Sequence, residues 1–217
     1  MSIVDPENFL IDQFPKKFWP LIPTTLRTAY AAASDLAASD PILQIESAQD
    51  NRGRLVSWAV DFFFKRLIET GQLPFECCWQ SFAKPTGRYL EIRLSHSVVT
   101  ISQVADPNRQ PRNVRFRENG RMNNQLYLDL PQFADEQKVT GLPHFLLVHG
   151  HQDLTFSHLA VPHPKHHQNY RFKTPNLMNM PYEMPILGPV VEDTDIDFGA
   201  LQLLKEDIEK WQKDHGE

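Results

Sequence analysis

An apolar stripe with helical spacing runs from Arg52 to Thr70, and directly after it the apolar pattern changes to alternation. The stripe consists of Leu55, Ala59, Phe62, Phe63 and Leu67, and it is widened by Trp58, Val60 and Phe64. Gly71 and Pro74 follow as helix-ending residues. So wide an apolar arc predicts a central rather than a peripheral helix. The alanine-rich segment from Thr24 to Ser39 predicts an earlier helix.

Short segments rich in β-branched and aromatic residues follow, separated by turn signals. They are Glu76 to Phe82, Arg88 to Leu94 and Ser97 to Val104. We interpret them as an antiparallel meander, in which alternation places Leu90, Ile92 and Leu94 on one face and Glu91 and Arg93 on the other. Further predicted elements are a strand at Gln125 to Leu130, a hairpin from Phe145 to Val161 that turns near Gly150 to Asp153, and an amphipathic helix over residues 197–217.

These elements predict an α+β fold: an antiparallel sheet of about five to seven strands packed against N-terminal helices, with a C-terminal amphipathic helix. The 217 residues suffice for one core, and no convincing linker interrupts the first 160 residues. We therefore expect a single domain over 1–217. Within it, residues 1–72 are mainly helical, 73–161 form the sheet, 162–196 are irregular and proline-rich, and 197–217 form a helix.

Two features predict a cytoplasmic protein that does not enter a membrane. The start of the chain has no basic segment followed by an apolar one, and the longest apolar run, near Trp58, is too short to span a bilayer. The two cysteines, Cys77 and Cys78, are neighbours, which predicts free thiols in a reducing compartment. Phosphate-binding loop, dinucleotide-binding, nucleophile-elbow and His-Glu-x-x-His motifs are absent from the sequence.

Charge is unevenly distributed around the net value of −5. Residues 80–124 carry eight Lys or Arg against three acids, a balance of +5, whereas residues 175–217 carry three lysines against ten acids, a balance of −7. A basic loop supplies most of the positive charge through Arg109, Arg112, Arg115, Arg117 and Arg121, and it also contains Phe116. Guanidinium groups suit phosphates and a phenyl ring can stack on an unpaired base, so the loop predicts nucleic-acid binding.

The acidic tail supports a different interpretation of the same arginines. Folded against the basic loop, or placed across a subunit interface, the tail would neutralise it. The alternative hypothesis is therefore a non-catalytic interaction subunit, with a protein partner or a homo-oligomer, whose basic middle and acidic C-terminal helix mediate assembly.

Seven of the nine histidines lie between residues 144 and 167, which raises the hypothesis of a divalent metal. His149, His151 and Asp153 resemble the His-x-His-x-Asp-His signature of the metallo-β-lactamase superfamily, with Leu154 in place of the closing histidine. The resemblance implies these three residues as metal ligands. In the predicted hairpin, His158 would lie about 13 Å from His149 along the strands, too far to share one ion.

The order of the elements from Arg52 to Val104, a helix followed by three strands, resembles the restriction-endonuclease-like core. That core carries an Asp and then Glu-x-Lys on its sheet; here Glu91-Ile92-Arg93 has Arg at the Lys position, and the segment from Glu76 to Phe82 offers no Asp. The catalytic candidates for a metal-free nuclease are His149, His151, Glu91 and Arg93. Whether the chain is an enzyme stays open, with a nuclease-like or regulatory role as the first hypothesis.

Overall fold

The computed structural model describes residues 5–82, 87–112, 114–128, 141–166 and 168–181. By its internal contacts the chain divides into two units, Met1–Pro185 and Ile186–Glu217, and the described residues all belong to the first. The helices are α1 (Pro6–Gln13), α2 (Leu21–Ser39), α3 (Glu46–Gln49), α4 (Arg52–Glu69) and α5 (Arg115–Leu128). The strands are β1 (Glu76–Ser81), β2 (Arg88–Arg93), β3 (Val98–Val104), β4 (His144–Gly150), β5 (Ser157–Pro162) and β6 (Tyr170–Lys173). Among the described helices, none combines the length and the apolar character needed to cross a bilayer.

In the described part of the chain, the six strands form one sheet in the order β1 to β6. Neighbouring strands are antiparallel except β3 and β4, which are parallel. A parallel pair requires a crossover connection, and α5 lies in the segment that joins these two strands. The predicted α+β class with N-terminal helices is confirmed, while the sheet is mixed and mostly antiparallel rather than wholly antiparallel.

The helix-side face of the sheet carries the main core. Buried residues from the helices and from alternate strand positions meet there, among them Leu26, Ala29, Val60, Phe64, Ile92, Val99, Phe145, Leu147 and Leu159. Ala29, Ala33 and Ala37 recur every four residues on α2 and are buried, which brings α2 close to α4. The predicted helix at Thr24 to Ser39 is confirmed and begins three residues earlier, at Leu21.

The expectation that the helix from Arg52 onward is central was wrong. Its buried residues are Val56, Val60, Phe64 and Leu67, a narrow stripe of one face. The side chains of Trp58 and Phe62 are 63% and 57% exposed. The helix therefore covers one side of the sheet and has a solvent-exposed outer face, because nothing in the described part of the chain packs over it.

The segment after β3 was also interpreted wrongly. Residues 115–128 form α5, so the arginine-rich segment is a loop only up to residue 114, and Gln125 to Leu128 are helical rather than part of a strand. Gly120 and its asparagine neighbours have low helix propensity, so local propensity does not predict a helix here. The crossover from β3 to β4 and packing on the second face of the sheet stabilise it instead.

Two further corrections concern the last strands. The predicted hairpin is confirmed as β4 and β5, but its connection is longer than expected, so His149 pairs with Ser157 and Val148 with His158. The segment expected to be irregular contains an edge strand, Tyr170–Lys173, which pairs with β5. The strand itself contains no proline; Pro164 precedes it and Pro175 follows it. The predicted helix over residues 197–217 lies outside the described residues.

Candidate functional site

A cavity of about 420 Å³ opens on the second face of the sheet, between β2, β3 and α5. The strands contribute Tyr89, Glu91, Arg93, Thr100 and His144, and the helix contributes Phe116, Asn119, Gly120 and Asn123. Alternation along β2 explains Tyr89, Glu91 and Arg93, since Leu90 and Ile92 are buried in the core on the other face, as predicted. The helical residues lie on one stripe of α5, at the spacing i, i+3, i+4 and i+7.

Glu91 is the acidic group of the cavity, and its side chain is 15% exposed. One carboxylate oxygen, Oε1, accepts hydrogen bonds from Nε of Arg93 at 3.3 Å and from Nε2 of Gln80 at 3.2 Å, with Sγ of Cys78 at 3.7 Å. Among the described residues no donor contacts the other oxygen, Oε2. The neighbours therefore orient the carboxylate and leave one acceptor for a ligand.

An aromatic cluster borders the same cavity. The rings of Tyr89 and Phe116 stack at 4.2 Å between centroids, with 22° between their planes. Phe82 lies 5.2 Å from each of them. Tyr89 and Phe116 line the cavity, so part of its lining is apolar next to the carboxylate of Glu91. The Arg117 guanidinium lies over the Phe116 ring, 4.9 Å from its centroid.

His144 closes the cavity at the start of β4. Its Nε2 lies 2.8 Å from Oγ1 of Thr100, and its ring is buried. Burial, assisted by the positive charge of Arg117, lowers the pKa of His144 to about 3. The ring is therefore neutral near pH 7 and is suited to hydrogen bonding rather than to carrying a proton.

The predicted nucleic-acid-binding residues separate into three groups. Phe116 lines the cavity; Arg115, the first residue of α5, and Arg112, which precedes the helix, are exposed. Arg117 and Arg121 are largely buried against the sheet; Arg117 donates to Oγ of Ser102 and to the Arg112 carbonyl oxygen, both at 3.0 Å. Burial lowers the pKa of Arg117 to about 10. Arg109 forms an exposed ion pair with Asp106 at 3.5 Å.

The four catalytic candidates do not converge. Glu91 and Arg93 share the cavity, whereas His149 lies on the opposite face of the sheet, where its Nδ1 is 2.8 Å from Oη of Tyr30 on α2. Burial lowers the pKa of His149 to about 4. His151 is exposed beyond the end of β4, with Nδ1 3.3 Å from Oε1 of Gln103. A general base built from these histidines would not reach a ligand bound at Glu91.

No cluster of three or more His, Cys, Asp or Glu side chains among the described residues could hold a metal ion, and His149, His151 and Asp153 are within that part. His149 and His158 do lie on adjacent strands rather than 13 Å apart along them, because the hairpin register differs from the expected one. They still cannot share an ion, since their register positions send the rings to opposite faces: His149 to Tyr30 and His158 to Phe156, with 5.7 Å between ring centroids in each pair.

Five residues that line the cavity were not predicted from the sequence: Tyr89, Thr100, Asn119, Asn123 and His144. The helical spacing of Phe116, Asn119, Gly120 and Asn123 was a usable signal, because it places polar and aromatic groups on one stripe once a helix is assumed. No such signal existed for His144, whose place depends on the pairing of β4 with β3.

Comparison with known proteins yields no relative: no protein-family model, curated protein or solved structure matches this chain.

Proposed function

We propose that the protein binds nucleic acid as a single strand along the second face of the sheet, with the cavity between β2 and α5 as the centre of the site. The observation that carries this proposal is the position of the aromatic cluster. Tyr89 and Phe116 border the cavity, and two exposed arginines precede Phe116 in the chain, Arg115 by one position and Arg112 by four. Single-strand sites combine aromatic surfaces for bases with a basic track for phosphates.

Free cationic groups support the proposal more strongly than the number of arginines does. Among the described residues, no carboxylate lies within ion-pair distance of Arg112 or Arg115, whereas Arg109 is paired with Asp106. Arg93 donates a hydrogen bond to Glu91 through Nε, and the side chain of Arg93 is 48% exposed. Arg93, Arg112 and Arg115 are therefore the candidates for phosphate contacts, whereas Arg117 is largely buried and donates to Ser102 of β3.

Salt-dependent binding tests the proposal. Fluorescence anisotropy with labelled 12-nucleotide RNA, the DNA of the same sequence and its duplex is measured between 50 and 200 mM salt. We expect the single strands to bind more tightly than the duplex, with a log–log salt slope that Arg112→Gln and Arg115→Gln each reduce by about 0.7. Arg54→Gln is the matched control, because Arg54 is exposed on α4 on the other face. No binding at 50 mM salt, or an unchanged slope in both the Arg112 and the Arg115 variants, would overturn the proposal.

A nuclease-like activity is the second candidate, and the juxtaposition of Glu91 and Arg93 in the cavity favours it. The helix and three strands that resemble the restriction-endonuclease-like core are present as α4 and β1 to β3. The carboxylate partner expected on the preceding strand is missing, since β1 carries no Asp. Incubating the same labelled strands with Mg²⁺ or Mn²⁺, and with chelator, distinguishes cleavage from binding. The interaction-subunit alternative stays a prediction, because its acidic helix lies outside the described residues.

A further inference from the structure

We infer that the cavity selects an unpaired base with an exocyclic amino group, such as cytosine, and that Glu91 accepts a hydrogen bond from that group. The inference rests on the proposed function and deepens it, because it assigns base preference to one side chain. The inference is based on the hydrogen bonds of the Glu91 carboxylate. Arg93 and Gln80 both donate to Oε1, whereas no described residue donates to Oε2.

The dimensions and walls of the cavity suit a planar ring. Its volume of about 420 Å³ lies in the range of small-ligand sites, about 300–1,000 Å³. Tyr89 and Phe116 give an apolar wall, while the exposed Asn119 adds a polar group that can contact the sugar or the base edge. A base paired in a duplex could not enter, since its amino edge already faces the opposite strand.

The chemistry of a carboxylate determines the preference. A carboxylate such as that of Glu91 accepts hydrogen bonds and donates none. The N4 amino group of cytosine is a donor and is a known partner of carboxylates in base recognition. Uracil and thymine carry an oxygen acceptor at the same ring position, which cannot form a hydrogen bond with a carboxylate oxygen. Arg93 and Gln80 strengthen the discrimination, because they prevent the carboxylate from turning away.

The test compares two pyrimidine strands of equal length and charge, (dC)10 and (dT)10, by anisotropy at pH 7.5 and 50 mM salt. We expect the unmodified protein to bind (dC)10 at least fivefold more tightly. Glu91→Gln should abolish or reverse the preference, because the new amide can donate to the thymine O4. The matched control is Glu118→Gln, an exposed acid of α5 that does not line the cavity, and it should keep the preference.

The outcomes separate the inference from the proposed function. Equal binding of both strands by the unmodified protein overturns the inference and leaves single-strand binding in place. Binding of neither strand overturns the proposed function itself. A preference that survives in a folded Glu91→Gln variant also overturns the inference, and thermal unfolding shows whether that variant is folded. Should it not fold, the comparison of (dC)10 with (dT)10 on the unmodified protein decides alone.

Discussion

Gly120 lies so close to the imidazole of His144 that a β-carbon at position 120 would stand 2.9 Å from Nδ1 and 3.0 Å from Cγ of the ring. The contact sets how closely α5 approaches β4, and it therefore sets the width of the cavity. The His144 ring is buried and bonded to Thr100, so it cannot move aside easily. A residue that weakens α5 as an isolated helix is thus required by the packing of that helix.

Gly120→Ala should destabilise the protein by about 1–2 kcal/mol, because overpacking outweighs the gain in helix propensity. The free energy of unfolding in urea measures the effect. Gly53→Ala is the matched control: it lies in α4, and its nearest atoms are side-chain atoms of His151 at 3.3 Å and Gln103 at 3.4 Å. Because the exposed His151 can shift, this variant should be as stable as the parent or slightly more stable. Equal effects of the two alanines would contradict the packing argument.

Asn124→Ala should destabilise the protein by about 2–4 kcal/mol, because buried backbone groups lose their partners. Asn124 is buried on α5, where its Nδ2 donates to the carbonyl oxygens of His144 at 2.9 Å and Pro162 at 3.3 Å, and its Oδ1 accepts from the His144 amide at 2.6 Å. Urea denaturation gives the difference. Asn119→Ala is the control, since Asn119 is exposed on the same helix, and it should change stability by less than about 0.5 kcal/mol. A loss in the Asn124 variant as small as in this control would contradict the prediction.

The buried histidines should make stability rise with pH between about pH 4 and pH 6.5. The pKa values of His144 and His149 are lowered to about 3 and about 4, whereas an unfolded histidine has a pKa of about 6.5. In that window the unfolded chain binds protons that the folded chain does not, so each histidine adds up to about 1.4 kcal/mol per pH unit. Unfolding in urea from pH 4.5 to 7.5 measures the slope, and His149→Gln should reduce it. An unchanged slope in this variant would show that His149 is not held neutral by the fold.

Asp61 should make the stability of the protein fall as the pH rises, opposite to the effect of the histidines. Burial raises its pKa to about 7, and no described residue pairs with its carboxylate. A raised pKa means that the folded chain holds the proton more tightly, so its stabilising contribution is complete below about pH 4 and is lost as the pH rises through 7. Asp61→Asn should therefore stabilise the protein by about 1–3 kcal/mol at pH 8 and by much less at pH 5. Asp35→Asn, at an exposed position of α2, should give little change at either pH; a similar gain there would point to net charge instead.

Local pattern predicted much of the fold. The helices α2 and α4, the strands β1 to β3 and the hairpin of β4 and β5 all follow from apolar periodicity and turn residues. Alternation on β2 placed Glu91 and Arg93 together, and the structure adds the cavity into which they face. The hairpin register was wrong because a connection length cannot be read from composition. The strand predicted at Gln125 was wrong because tertiary packing on the sheet stabilises a helix there that local propensity does not favour.

The sequence by itself determined which residues share a face, because side-chain direction in a strand or helix depends only on backbone periodicity. It therefore placed Glu91 and Arg93 on the face of β2 opposite to Leu90 and Ile92. Only the tertiary structure decided which faces meet. The parallel pairing of β4 with β3 brought His144 to Thr100, and the crossover helix set Phe116 against Tyr89. Alternation along β4 turns His149 away from His144, and the tertiary structure placed His144 in the cavity and His149 against Tyr30 of α2.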